Sequence, residues 1–522
     1  MTDHNRIVII GAGHNGLVCA AYLSKAGRQV LVLEASDRVG GAAVTREFAP
    51  GYRVSACAHL SYLLDESINR ELRLAQHGLR HSRMNLRTVA LSADGEHLVL
   101  NGGKLEAGQL PDPDRTALDD YHASMMRFAR VIGKQHNRRP PRIAGGGRSE
   151  ALAAATLGLD IRRLGRNSMR EFLRIAGINI FDILEETFES PLLKGALALD
   201  AVLGTNLGPR SNNSVLTLLH RMSGQAMGSA GGVSLPQGGM GTVSDALAAA
   251  ARASGATVRT SSPVARITLN GDRVSGVELE GGEQVAADVV VSNADPARTL
   301  LQLLGARYLE TGFAHRIRHF RSKGMAAKLH LALDGLPAFA RLKPELTGQR
   351  LVIAPDLGYI ERAFDHAKHG QCSPEPALEI AIPTVDDQTL APSGKHVLSA
   401  ILQYAPFDPR ASGDAARAGL LEQTLNLLER YAPGLGRQVI ASEMLLPADI
   451  EREFRITGGH WHHGELALDQ YLMMRPVPGA AQYTMPVNGL YLCGAGCHPG
   501  GGVMGSAGRN AANAVLNGKS AA

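Results

Sequence analysis

"RIVIIGAGHNGLVCAAYLSKAGRQVLVLEASDRVGG", Arg6 to Gly41, reads as strand, glycine turn, helix and second strand. Arg6 to Ile10 is an apolar, β-branched run of strand length. Gly11, Gly13 and Gly16 then hold the first, third and sixth places of Gly-Ala-Gly-His-Asn-Gly, with His14 and Asn15 between them. Leu17 to Ala26 carries apolar residues at helical recurrence, Gly27 closes it, and Gln29 to Leu33 forms a strand that ends on Glu34. Each residue type has a physical task. Gly11 permits a tight turn, Gly13 bares the backbone to a pyrophosphate, and Gly16 lets the helix pack on the strand. The helix N-terminus offers free N–H groups to phosphate, and Glu34 is placed to accept both hydroxyls of a ribose.

The glycine string by itself suits NAD or FAD alike. The residues behind Glu34 separate the two. Ala35, Arg38, Gly40, Gly41 and Ala42 come just past the ribose acid, and paired glycines there leave room for a second phosphate. The string resembles the signature of two-dinucleotide-binding-domain flavoproteins, which implies an α/β, Rossmann-type FAD-binding domain.

Length and composition set the outer bounds. The 522 residues exceed one ordinary domain, and the net charge of +5 is small for that size and argues against a nucleic-acid partner. Five scattered cysteines include no C-x-x-C pair, which disfavours a redox disulfide and points to a reducing compartment. No apolar run is long enough to span a bilayer. The expectation is a cytoplasmic protein, with membrane-surface association left open.

Two remote segments belong with the cofactor domain. In Ser234 to Pro296 a glycine turn precedes an alanine-rich helix, Thr242 to Ala253. Val264 to Leu269 and Val274 to Leu279 then pair around "NGD", before the buried-type strand "ADVVVSNA". At the C-terminus "NGLYLCGAGCHPGGGVMGSAGRNAANAVL" is a short strand, a glycine-dense turn and a helix from about Met504. A helix start beneath a flavin would stabilise the charge of its reduced form. The cofactor domain is therefore expected over 1–74, 231–299 and 481–522. A second, mixed α+β substrate lobe takes 75–230 and 300–480. Within that lobe Leu118 to Val131 and Ser168 to Ala176 read as helices, and the segment 138–147 as a loop. The unusually apolar Ser190 to Gly204 reads as a core helix or as the wall of a lipophilic channel.

Taken together, "VIIGAGHNGLVCAAYLSKAG", "LPQGGMGTVSDALA", "VVSNADP", "HHGELALDQYLMMRP" and "GLYLCGAGCHPGGGVMG" resemble the phytoene-desaturase (carotenoid oxidoreductase) branch of the flavin amine oxidase superfamily. The resemblance covers nearly the whole chain. It implies non-covalent FAD, with Val264 contacting the adenine and Gly494, Gly501, Gly502, Val503 and Met504 receiving the flavin. It also implies hydride transfer from a C–C or C–N bond of a largely apolar small molecule to flavin N5. No second glycine fingerprint offers a nicotinamide site, so oxygen or a quinone is the expected acceptor. A redox-neutral flavin-dependent isomerase, or a flavin-stabilised interaction protein with little turnover, stays open as an alternative. The oligomeric state is not legible.

Candidate catalytic groups are His59, close behind the flavin motif, and His463 with Glu465 in "HHGEL". A neutral imidazole at His59 suits a base near neutral pH, with a hydrogen-bonded place in the domain interface as its competing role, and bracing the segment that carries Arg475 is the competing role for His463 and Glu465. His498, in the closing turn, is a third candidate. The cluster His460, Trp461, His462, His463 lacks metal-ligand spacing, so no metal is expected.

Overall fold

The computed structural model describes residues 6–142, 147–226, 229–408 and 413–518. Helices α1 (His14–Lys25), α2 (Asp112–His136), α3 (Arg148–Arg162), α4 (Arg166–Ile175), α5 (Gly241–Ala253) and α6 (Ser506–Asn517) frame two sheets. The first sheet is five-stranded and parallel, in the order Thr257–Arg259, Gln29–Leu33, Arg6–Ile10, Val289–Ser292, Leu490–Leu492. Its strands come from three remote stretches of chain. Such a sheet needs both faces covered, and α1 lies packed between α5 and α6 on one of them. Gly508 in α6 allows the approach, since a Cβ there would sit 2.1 Å from the Asn15 carbonyl oxygen. Val264–Asn270, Arg273–Leu279 and Gln284–Ala286 form a separate antiparallel sheet.

The second large sheet has eight strands, ordered Val439–Leu445, Ala326–Leu333, His396–Gln403, Ala377–Ala381, Arg350–Ile353, Thr88–Ala90, Leu98–Asn101, Lys104–Ala107. Ala326–Leu333 and Ala377–Ala381 are buried along their whole length. Strands covered on both faces show no alternation, which hid them in the sequence. The expected helices are longer at their starts: α2 begins at Asp112, where two acids complement the helix dipole, and α4 begins at Arg166. Pro191–Val202 is a core helix, and of the apolar stretch 190–204 only Leu203 reaches the main cavity. The closing helix starts at Ser506 rather than Met504, because Gly505 takes the left-handed cap at φ +83°. Part of the 138–147 loop lies outside the described residues. Among those described, no helix is long and apolar enough to cross a membrane.

One buried side chain ties the loops between the sheets. Arg475 is 0% exposed and donates to six carbonyls. Its Nη2 reaches His462 O at 2.7 Å, Ala495 O at 2.8 Å and Gly464 O at 3.3 Å. Nη1 reaches Glu465 O at 2.9 Å and Gln470 O at 3.1 Å, and Nε is shared between Ala495 O and Cys497 O at 3.2 Å. Lysine keeps the charge but cannot span this fork. Arg475→Lys is expected to cost about 3–5 kcal/mol and to lower the thermal midpoint by several degrees. An unchanged midpoint in a melt followed by circular dichroism would show that these carbonyls need no common donor.

Candidate active site

The glycine turn of α1 opens one end of an elongated cavity of about 400 Å³. Gly11 sits at φ +91° and donates its N–H to Leu33 O at 2.8 Å, joining the turn to the second strand. A Cβ at Gly16 would lie 2.3 Å from Gly11 O, so the helix closes on the turn as expected. A Cβ at Gly13 would lie 2.6 Å from Asn293 Nδ2. Asn293 ends the "VVVSN" strand and shares the cavity wall with Gly11, Gly13, His14 and Asn15. It was missed in the sequence, although a polar residue ending a buried strand beside the glycine turn was the available signal.

Glu34 accepts from Ala12 N at 2.6 Å and Ser36 N at 2.9 Å and still faces the cavity, along with Ala35, Ala42 and Val264. Arg38 also lines it, but its guanidinium pairs with its neighbour Asp37 at 3.0 Å, both exposed. Gly40 and Gly41 hold positive φ of +119° and +56°. Asn15 is 1% exposed, and neither its amide nitrogen nor its oxygen has a partner among the described residues. No side chain caps α1. An uncapped helix start, an unpartnered buried amide and a left-handed glycine pair together fit a pyrophosphate.

The middle of the cavity is walled by Trp461, His462, His463, Ala495, Gly502 and Val503. Val503 and His463 both hold left-handed backbone, at φ +55°. Gly494, Gly501 and Met504 stand behind this wall. A Cβ at Gly494 would come within 2.4 Å of Asn293 O, and one at Gly501 within 2.3 Å of His462 Nδ1. Met504 O accepts from Asp65 N. His463 Nδ1 is buried and has no partner among the described residues, and burial lowers the pKa of its ring to about 4 and that of His14 to about 3. Glu465 does not line the cavity: its Oε2 accepts from Asn206 N at 2.9 Å, with His460 Nε2 at 3.5 Å. His498 is likewise set back, its Nε2 bonded to Gln135 O at 2.8 Å.

The far end combines Leu203, Ile401 and Tyr62 with His59, Glu379 and Arg221. His59 is buried, with Nε2 3.1 Å from Glu379 Oε1 and Nδ1 2.7 Å from Lys328 Nζ. Glu379 Oε2 also accepts from Arg221 at 2.6 Å and Arg350 at 2.5 Å, and both arginines pair with Asp200. Burial alone would raise the Glu379 pKa, yet the two guanidiniums hold it well below the usual range. Burial lowers His59 to about 4, helped by Lys328, and lowers Lys328 itself to about 7. The carboxylate thus takes the His59 Nε2–H, which leaves Nδ1 to accept from Lys328. Lys328 and Glu379 were also missed, though each is a charge inside a strand-length apolar run, "AAKLHLAL" and "ALEIA". Among the described residues no three metal-ligating side chains converge.

Comparison with known proteins agrees with this geometry. The model of the family described as flavin containing amine oxidoreductase matches residues 16–516. The chain is 37% identical to pyridine nucleotide-disulfide oxidoreductase domain-containing protein 2 of Rattus norvegicus, over 98% of this chain and 93% of the relative. It is 26% identical to the lycopene-forming phytoene desaturase of Pantoea ananas, over 97% and 98%. Among solved structures an oxidoreductase from Methanosarcina mazei superimposes with a TM-score of 0.61 at 18% identity, covering 98% of this chain and 100% of that one, which speaks for the fold. A chain matched from Gly16 in its first helix to Leu516 in its last belongs to the flavin-containing amine oxidoreductase family, and its cofactor is FAD.

Proposed function

We propose that this oxidoreductase dehydrogenates a C–C or C–N bond of a largely apolar small molecule that carries a polar group at its oxidised end. The observation that carries the reading is one continuous cavity, running from Glu34 past Val503 to the buried His59, Glu379 and Arg221. Bound FAD supplies the two-electron acceptor, with oxygen or a quinone as the terminal oxidant. Glu34 holds the ribose, and the α1 N-terminus with Asn15 holds the pyrophosphate. Leu203, Ile401, Tyr62 and Trp461 exclude water and receive the apolar body of the substrate. The likeness to a phytoene desaturase supports that apolar class.

The charged end asks for more than a hydrocarbon. Glu379 and Asp200 balance Arg221 and Arg350, and His59 is neutral, so the charge of the cluster is set by Lys328. Above about pH 7 Lys328 is an uncharged amine with room for a proton. The proton that leaves the substrate is taken up by this cluster and held at Lys328 Nζ, and His59 is the member of the pair that lines the cavity. Lys328 is a positioning and proton-holding residue, and His59 is the cavity-facing one.

Purified protein should show an oxidised flavin absorption band that bleaches on anaerobic titration with one class among amines, polyenes and cyclic enones. A bound band that no class bleaches would favour a redox-neutral isomerase and overturn the dehydrogenase reading. Glu34→Ala should weaken FAD retention by about tenfold or more, read as loss of the band on gel filtration; full retention would remove Glu34 from the ribose site.

The pH dependence has a definite sign. A base must be unprotonated to act, so kcat/KM should rise with pH through about 7, following Lys328. Lys328→Met should flatten that acid limb and lower the rate by about a hundredfold, the low end for a lost proton acceptor. A limb that persists in the methionine variant would assign it to another group.

A further inference from the structure

Helix α3 carries its carboxylates inward and sets leucines among arginines on its outward face. Glu150 and Asp160 are only 9% and 3% exposed. Glu150 accepts from Arg139 at 2.7 Å, and Asp160 from Arg138 at 2.6 Å and Lys134 at 3.1 Å. The outward stripe runs Arg148, Leu152, Ala155, Leu159, Arg162, spaced so that all five fall within an arc of about 80° at about 100° per residue. Leu152 is 69% exposed and Leu159 45%. Between Glu150 and Asp160 the helix is "ALAAATLGL", with no charge at all. An ordinary surface helix has the reverse pattern.

The next helix continues the theme. Arg166, Arg170 and Leu173 share one face of α4, with Leu173 59% exposed. Arg148, Arg162, Arg166 and Arg170 are exposed and have no ion-pair partner among the described residues. Residues 138–174 hold nine arginines against three carboxylates, so this one segment carries more positive charge than the +5 of the whole chain. Lone exposed leucines need no explanation, but leucines set in register with unpaired arginines do.

We propose that α3 and α4 dock the protein on an anionic lipid bilayer. Leu152, Leu159 and Leu173 enter the boundary between headgroups and acyl chains, and the four unpaired arginines meet lipid phosphates. The charge pattern selects this occupant over a second copy of the chain, because a two-fold interface would set the arginines against themselves. The docking face is also tied to the cofactor end of the molecule. It hangs from α2, whose last carbonyls, Gln135 O and His136 O, accept from His498 and Asn510 beside the flavin-facing turn.

Flotation of the full-length, flavin-loaded protein tests this. Vesicles of phosphatidylcholine mixed equally with phosphatidylglycerol should carry it, and vesicles of phosphatidylcholine alone should not. Raising salt from 0.1 to 1 M, which shortens the screening length from about 10 to about 3 Å, should release it. The double variants Leu152→Glu/Leu159→Glu and Arg162→Glu/Arg166→Glu should each lower binding by about tenfold or more, with flavin absorbance and thermal midpoint unchanged. Equal binding by variants and parent, or no binding to mixed vesicles, overturns the proposal. So does a dimer seen by light scattering that Leu152→Glu/Leu159→Glu dissociates without affecting flotation, or co-purified nucleic acid that displaces the vesicles.

Discussion

The site rests on the burial of Arg475. A guanidinium removed from water costs several kcal/mol unless its donors are met, and here backbone carbonyls alone meet them. Burial draws its pKa down only to about 10, so it remains charged at neutral pH. That charge is satisfied with the 462–470 loop and the 495–497 turn brought to the same point. Two of its acceptors, His462 O and Gly464 O, flank His463. They pin that residue in a left-handed conformation that a non-glycine residue adopts at a cost of about 1–3 kcal/mol. The imidazole is thereby aimed at the cavity by an interaction made behind it.

The two ends of the cavity solve different electrostatic problems. At the α1 end backbone N–H dipoles, an unpartnered amide and a helix terminus favour an anion, and the Glu34 carboxylate and Arg38 line the same cavity. At the far end full charges are present but cancel, two carboxylates against two guanidiniums. Between them stand His462 and His463, which burial keeps neutral. The stretch of wall formed by Trp461, His462, His463, Ala495, Gly502 and Val503 therefore presents no full charge, which suits an apolar substrate.

Legibility in the sequence depended on how each part is built. The cofactor arm was readable because backbone geometry dictates residue type there: Gly11 needs positive φ, Gly16 has no room for a Cβ, and Gly40 needs both. These requirements recur at fixed spacing along a local stretch. The far end is assembled from Ser214–Met222, Ala326–Leu333, Arg350–Ile353 and Ala377–Ala381, strands and a helix remote in sequence. Nothing in their spacing announces that Arg221, Lys328, Arg350 and Glu379 meet. His59 was legible because it lies close behind the flavin motif, but its partners were not. Glu465 and His498 are adjacent in sequence to the flavin-facing segments without facing the cavity, since the fork of Arg475 turns the chain between them.

The charge inventory of the far end also limits what chemistry the cavity can support. With Arg221 and Arg350 each shared between Glu379 and Asp200, neither arginine is free to bind a substrate carboxylate without first releasing a buried partner, a loss of about 3–5 kcal/mol. A fixed anionic headgroup is therefore a poor occupant. A group that gains or loses one proton is a better one, because Lys328 can change charge by one near neutral pH while the four ion-paired groups stay as they are. The cavity end is suited less to gripping a charge than to tolerating the arrival of a proton, as the proposed dehydrogenation requires.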